Sequence, residues 1–161
     1  MKSRRTLPLL FSLFMALSAS AVAGGSADAV DVSGAYARAV PPGQPNSASF
    51  MTLTNRSDQS LSLVGAKSPA AKVVELHTHT MEQGMMRMRQ VDKITIPASG
   101  ESMLQPGGDH VMLMVLVQDL QPGSEISVTL VFADGSEKEI LAPVQKIRMK
   151  MMKHDGSHSM H

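Results

Sequence analysis

An all-β fold, a sandwich or a small barrel, is what this 161-residue sequence predicts. Three observations point there. Short apolar runs start roughly every eight to twelve residues, the spacing of sandwich and barrel strands. Clusters of Gly, Pro, Asn and Asp punctuate them. No stretch holds a helical apolar period for about twelve residues with caps at both ends.

Residues 1–23 read as a secretory signal peptide. Lys2, Arg4 and Arg5 make a basic start, Leu7 to Leu17 is an apolar run broken only by Pro8 and Ser12, and Ala21-Val22-Ala23 is a small-x-small cleavage site. The run is too short for a comfortable membrane span, so no stable membrane insertion is expected after cleavage. A lipid anchor is excluded because the sequence has no cysteine to carry it.

Residues 24–145 form the expected domain. Gly24 to Ala29 is a small-residue leader, and Val30, Val32 and Tyr36 alternate as a first strand. The proline-rich loop Pro41 to Asn46 cannot join a ladder, because proline lacks the N–H donor. Ala48 to Thr54 is the second strand; Leu61, Leu63 and Gly65 mark the third; Val73 to His77 is the fourth. A loop around Gly84 is expected before Met86 to Val91 and Lys93 to Ile96. Ser102 to Leu104 is a brief strand, and His110 to Leu116 a strong one after Gln105-Pro106-Gly107-Gly108-Asp109. In Ile126 to Phe132, Val128, Leu130 and Phe132 should face the core, with Ser127 and Thr129 toward water. Glu137 to Leu141 is its hairpin partner after the Asp134-Gly135 turn, and Val144 to Ile147 adds a last short strand. Residues 146–161 lose all alternation and are expected to form a flexible Met/His-rich tail.

Composition excludes several functions. Aromatic residues make up 3% of the chain and tryptophan is absent, so the core must be aliphatic and base-stacking platforms are missing. The body, residues 24–145, carries 8 basic and 13 acidic side chains, a net of −5, which does not suit nucleic acid. No local motif presents a Ser-His-Asp set, and thiol chemistry is impossible without cysteine. The chain is read as a binding protein, not an enzyme.

The stretch from Glu75 to Met114 concentrates the chemistry, holding three of the six histidines and seven of the fourteen methionines. Imidazole nitrogen and thioether sulfur suit Cu(I); Mg²⁺ and Ca²⁺ prefer oxygen, and Zn²⁺ rarely takes thioether. Side chains two apart on a strand share a face. His110 and Met112 are therefore one pair, with Val111 and Leu113 toward the core; His77 with His79, and Met86 with Met88, are others. By spacing alone His79 is as good a candidate as His77. Met51 and Met103 are expected to be packing, Met114 either a ligand or packing beside the site, and Met81, Met85 and Met86 an apolar collar. Arg87 and Arg89 should face away from Met86 and Met88. Glu75, Glu82 and Asp109 are candidates to orient a ligand histidine.

The sequence resembles the periplasmic PCu(A)C copper chaperones. The family pattern, His or Met, ten residues, Met, twenty-one residues, His, one residue, Met, falls on His77, Met88, His110 and Met112, and VELHTH, GMMRMR, IPASG, LQPGGDHVMLM and the early GAYARAVPPG resemble the family's text. Tyr36 stands where members often carry tryptophan. The resemblance implies a cupredoxin-like, Ig-like β-sandwich in the periplasm, and it favours His77 over His79. It also implies a Cu(I) carrier that serves the binuclear copper centre of cytochrome c oxidase, with a cysteine-containing acceptor such as oxidase subunit II or another copper assembly factor as partner. Two other readings are a copper-sequestering or resistance protein and an extracellular interaction module without metal. In the tail, His154, His158 and His161 with Met149, Met151, Met152 and Met160 are expected as a secondary copper site, for Cu(II) in particular.

Overall fold

The computed structural model of the protein describes residues 24–147. The expected signal peptide, and the tail from residue 148 onward with all seven of its candidate ligands, lie outside the described residues.

The fold is a β-sandwich. After one helical turn, α1 (Ser26–Ala29), come β1 (Val30–Arg38), β2 (Asn46–Asn55), β3 (Leu61–Lys67), β4 (Ala71–Glu82), β5 (Met85–Gln90), β6 (Ile94–Ile96), β7 (Glu101–Leu104), β8 (His110–Leu116), β9 (Glu125–Phe132) and β10 (Glu137–Gln145). One layer has the order β5-β4-β8-β2-β1, with β7 also on β2; the other is β10-β9-β3-β6. A short parallel contact of Ala37 with Val144 and Arg38 with Gln145 joins them. Strands β8 and β7 take successive halves of the same edge of β2: Asn46 to Ser49 face β8, and Met51 to Thr54 face β7. The loop between β7 and β8 is thereby pinned at the middle of this layer.

Alternation builds the core as the sequence implies. Leu53, Val111 and Leu113 from one layer meet Leu63, Val128, Leu130 and Phe132 from the other, all essentially inaccessible to water, while Ser127 and Thr129 are partly exposed. Met51 is buried, as expected of packing. Met103 is not: it is 54% exposed, because β7 turns Leu104 inward and the period of two sends Met103 outward.

Three elements differ from the sequence reading. The fourth strand runs on to Glu82, and no loop surrounds Gly84. Instead Gln83 (φ 49°) and Gly84 (φ 77°) make a two-residue hairpin turn with both residues left-handed, the geometry that matches strand twist. The last two expected strands are one, because Pro143 sits where β10 leaves β9 for β1 and its missing donor interrupts little. Ser26 to Ala29, expected as plain leader, form a helical turn held where the Ser26 amide donates to Asp134 Oδ2 at 2.7 Å.

Candidate metal centre

Strands β4, β5 and β8 carry the candidate ligands, and register decides what they share. Across β4 and β8, His77 lies directly opposite His110, and Glu75 opposite Met112. Across β4 and β5, His79 lies opposite Met88. Facing residues in a ladder project to the same side. His77, His79, Met88, His110 and Met112 therefore all stand on one face of the layer, the face away from Leu76, Val111 and Leu113 in the core.

Met88, His110 and Met112 line one cavity of about 320 Å³ together with His79, Phe50 and Pro106. The ring centroids of His79 and His110 are 5.2 Å apart, and those of His77 and His110 are 5.9 Å apart. His79, not His77, is on the cavity wall; His77 stands next to it with its ring turned toward Glu75. Met114 is one step further along the same face, opposite Asn46 and Val73.

Hydrogen bonds fix how each ring presents itself. A carbonyl oxygen only accepts, so a ring nitrogen bonded to it must carry the proton. His110 Nδ1 donates to the Gly108 carbonyl at 3.0 Å, which leaves the Nε2 lone pair free. His79 Nδ1 reaches the same carbonyl at 3.3 Å, with the same consequence. His77 is held the other way round: its Nε2 donates to Glu75 Oε2 at 2.8 Å. Its Nδ1 is buried, and among the described residues it is the one such side-chain atom without a hydrogen-bond partner. A buried lone pair without a donor is costly; a cation would satisfy it. Carboxylates and carbonyls behind imidazoles are the usual means of orienting metal-binding histidines.

The Gly108 carbonyl is placed by sequence-local chemistry. Gln105-Pro106-Gly107-Gly108 forms a tight turn in which the Gly108 amide donates to the Gln105 carbonyl at 3.0 Å and Gly107 has φ 84°. Proline at the second position and glycine at the third are what such a turn requires. Its part in the site was not read from the sequence, although Pro-Gly-Gly immediately before a histidine carries the signal.

Electrostatics favour a neutral ligand set. Burial holds His110 below the ordinary imidazole value, with the nearby His79 and His77 rings pushing the same way against the Gly108 bond and Asp109. Neutral His110 is the form that offers a lone pair. Among the described residues no three His, Cys, Asp or Glu side chains gather into a metal-holding group. Met88 and Met112 add thioether side chains to the cavity that His79 and His110 line. Of the other candidates to orient a histidine, Glu82 is committed elsewhere, to Arg89 Nε at 2.6 Å and Arg87 Nε at 3.8 Å. Arg87 and Arg89 occupy the face opposite Met86 and Met88, as alternation requires.

Residues 30–144 match the family described as "Putative lipoprotein LpqE-like". The chain is similar to "Putative lipoprotein Lxx21020" of Leifsonia xyli subsp. xyli (strain CTCB07), 39% identical over 123 residues that cover 76% of this chain and 73% of that one. Among solved structures it is similar to the solution structure of CuI-DR1885 from Deinococcus radiodurans, with 46% identity, a TM-score of 0.59, and coverage of 70% of this chain and 76% of that one. It is also similar to the copper-bound PCuAC domain from PmoF2, with 25% identity, a TM-score of 0.63, and coverage of 74% and 94%. Among the described residues no helix is long and apolar enough to cross a membrane.

Proposed function

The chain belongs to the LpqE-like family, which is the PCuAC family, and from that premise we propose that it is a periplasmic Cu(I) carrier whose cargo is held by His77, Met88, His110 and Met112. The observation that carries this reading is the convergence of imidazole and thioether donors from three strands on one face, with His110 tautomerically fixed and a buried His77 nitrogen lacking a partner. The donor set fits: Cu(I) accepts low coordination and soft sulfur. Copper-bound similar structures support the same cargo.

Delivery proceeds by ligand exchange. An acceptor's cysteine thiol loses its proton and binds as thiolate while a Met88 or Met112 sulfur leaves; a second thiolate then displaces an imidazole. Copper stays Cu(I) throughout, and no electron moves. Thiolate is a stronger donor than thioether, so transfer from a cysteine-free donor runs toward the acceptor. The acceptor we infer is the binuclear copper centre of cytochrome c oxidase during its assembly. A carrier that only sequesters copper would hold the same ion but release none.

The test is a Cu(I) competition titration of residues 24–145 with His77, Met88, His110 and Met112 each changed to alanine, followed by X-ray absorption and by mixing with apo oxidase subunit II. Mixed sulfur and nitrogen ligation that each variant weakens, with copper arriving on the acceptor, is expected. A folded 24–145 that binds no Cu(I) would sink the reading, and binding without transfer would favour sequestration.

A further inference from the structure

The β4–β5 hairpin carries more soft donors than the proposed centre uses. Four of the ten large hydrophobic side chains exposed among the described residues are its methionines: Met81 at 67%, Met85 at 54%, Met86 at 59% and Met88 at 46%. From Leu76 onward every large apolar side chain exposed on the hairpin is methionine; at its base only Val73, 40% exposed, joins them. An exposed edge ladder is ordinarily furnished with β-branched or charged residues, and a local choice that departs from strand preference marks a functional position.

Register sorts these four. Met81 is directly opposite Met86, and His79 opposite Met88, so His79, Met81, Met86 and Met88 form two successive rungs on one face. Met85, opposite Glu82, belongs to the other face with Arg87 and Arg89. The rung of Met81 and Met86 lies about 7 Å further out than the rung that reaches the cavity. Facing Cβ atoms in such a rung are about 4.5–5.5 Å apart, a span that two flexible thioethers can close around one ion. The hairpin turn directly beyond, at Gln83 and Gly84, fixes this register. The one charged side chain of the hairpin on the methionine face is the anion Glu75, bonded to His77; its two arginines are on the other side, paired with Glu82. The hairpin itself therefore brings no positive charge to this face, and the cation that lines the inner cavity, Arg38, comes from β1.

We propose that Met81 and Met86, with Met88 as a donor common to both, form an outer thioether site for Cu(I), the station through which the ion enters and leaves the inner centre. The inference rests on the carrier reading above and extends it to a route. Exchange of Met88 from one set of partners to the other moves the ion without a naked intermediate. Weak, all-thioether binding at the exposed rung suits loading and release, whereas the imidazoles of the inner centre suit retention.

The experiment uses the mature chain with [13C-methyl]methionine and Cu(I) added anaerobically as its acetonitrile complex. The Met88 and Met112 methyl resonances should move with the first equivalent, and those of Met81 and Met86 with further copper. In Met81→Leu/Met86→Leu, which keeps side-chain bulk and removes sulfur, equilibrium retention of one Cu(I) should stay within about twofold of the parent. Loss of copper to a bathocuproine chelator should slow at least fivefold. Met85→Leu should behave as the parent. Met81 and Met86 methyls that stay fixed at every copper ratio would overturn the outer site even if the double variant failed to fold, and an unchanged release rate in a folded double variant would overturn its role as a station. Fixed Met88 and Met112 methyls would instead sink the inner centre.

Discussion

His79 and His110 donate from Nδ1 to one and the same acceptor, the Gly108 carbonyl, at 3.3 and 3.0 Å. One backbone oxygen thus sets two imidazoles in the same tautomer, both with Nε2 free. His77, bonded through Nε2 to Glu75, is set in the opposite one. Long-range proton–nitrogen correlation of the apo protein near pH 7.5 should therefore show Nδ1–H for His79 and His110 and Nε2–H for His77. Finding Nε2–H on His110 would remove the geometric basis for its lone pair in the cavity.

Glu75 touches the proposed centre through its bond to His77. Losing such an orienting carboxylate costs about 10–100-fold in metal affinity in comparable sites. Glu75→Ala should fall in that range by chelator competition, and Glu75→Gln, which keeps an acceptor oxygen, should lose less. His110→Ala removes a donor outright and should lose more than either. If Glu75→Ala bound Cu(I) as tightly as the parent, the bond to His77 would have no part in presenting it.

Much of this was legible because a period of two is a strong signal. It placed Val111 and Leu113 inward and His110 and Met112 together, and it assigned the arginines of GMMRMR to the far face. The outer half of β4 was harder to see. Thr78 to Glu82 has no buried side chain to mark a strand, and Gln83-Gly84 lacks the asparagine or aspartate that announces a two-residue turn. Met103 showed the converse limit: an apolar side chain does not reveal its face when the strand has four residues. The sequence presented His77 and His79 as neighbours on one face. Which ring turns to Glu75 and which to Gly108 depends on a loop from the far end of β7, a tertiary fact that spacing does not encode.

Acid should weaken the apo fold through His110. Its folded value is lowered by burial, so as pH falls through the ordinary imidazole value near 6.5 the unfolded chain takes up the proton first. Stability from this group is complete above that value, declines as pH falls toward the folded value, and changes no further below it. The slope cannot exceed about 1.4 kcal/mol per pH unit for one group. Urea denaturation of apo protein between pH 7.5 and 5 should show the decline, and His110→Gln should remove it. A variant that keeps the full decline would assign it to other groups.

Val115 has φ 55° in the last turn of β8, where a β-branched side chain is strained. The backbone is held there because the next two amides are committed, Leu116 to the Pro45 carbonyl at 2.9 Å and Val117 to that of Ala70 at 3.0 Å. Such a conformation costs of order 1–3 kcal/mol in a non-glycine residue. The side chain is 46% exposed, so its burial returns little of that. Val115→Asn, which tolerates the left-handed region, should raise the stability of the apo protein by about 1 kcal/mol, seen as a higher urea midpoint at unchanged slope. Because Met114 precedes it and Met112 lies three residues back, the same variant also tests whether the strain serves the metal centre. Higher stability with unchanged Cu(I) affinity would mean that the twist only seats the Pro45 and Ala70 contacts, whereas a loss of affinity would mean that it positions Met112. A lower midpoint would refute strain at Val115.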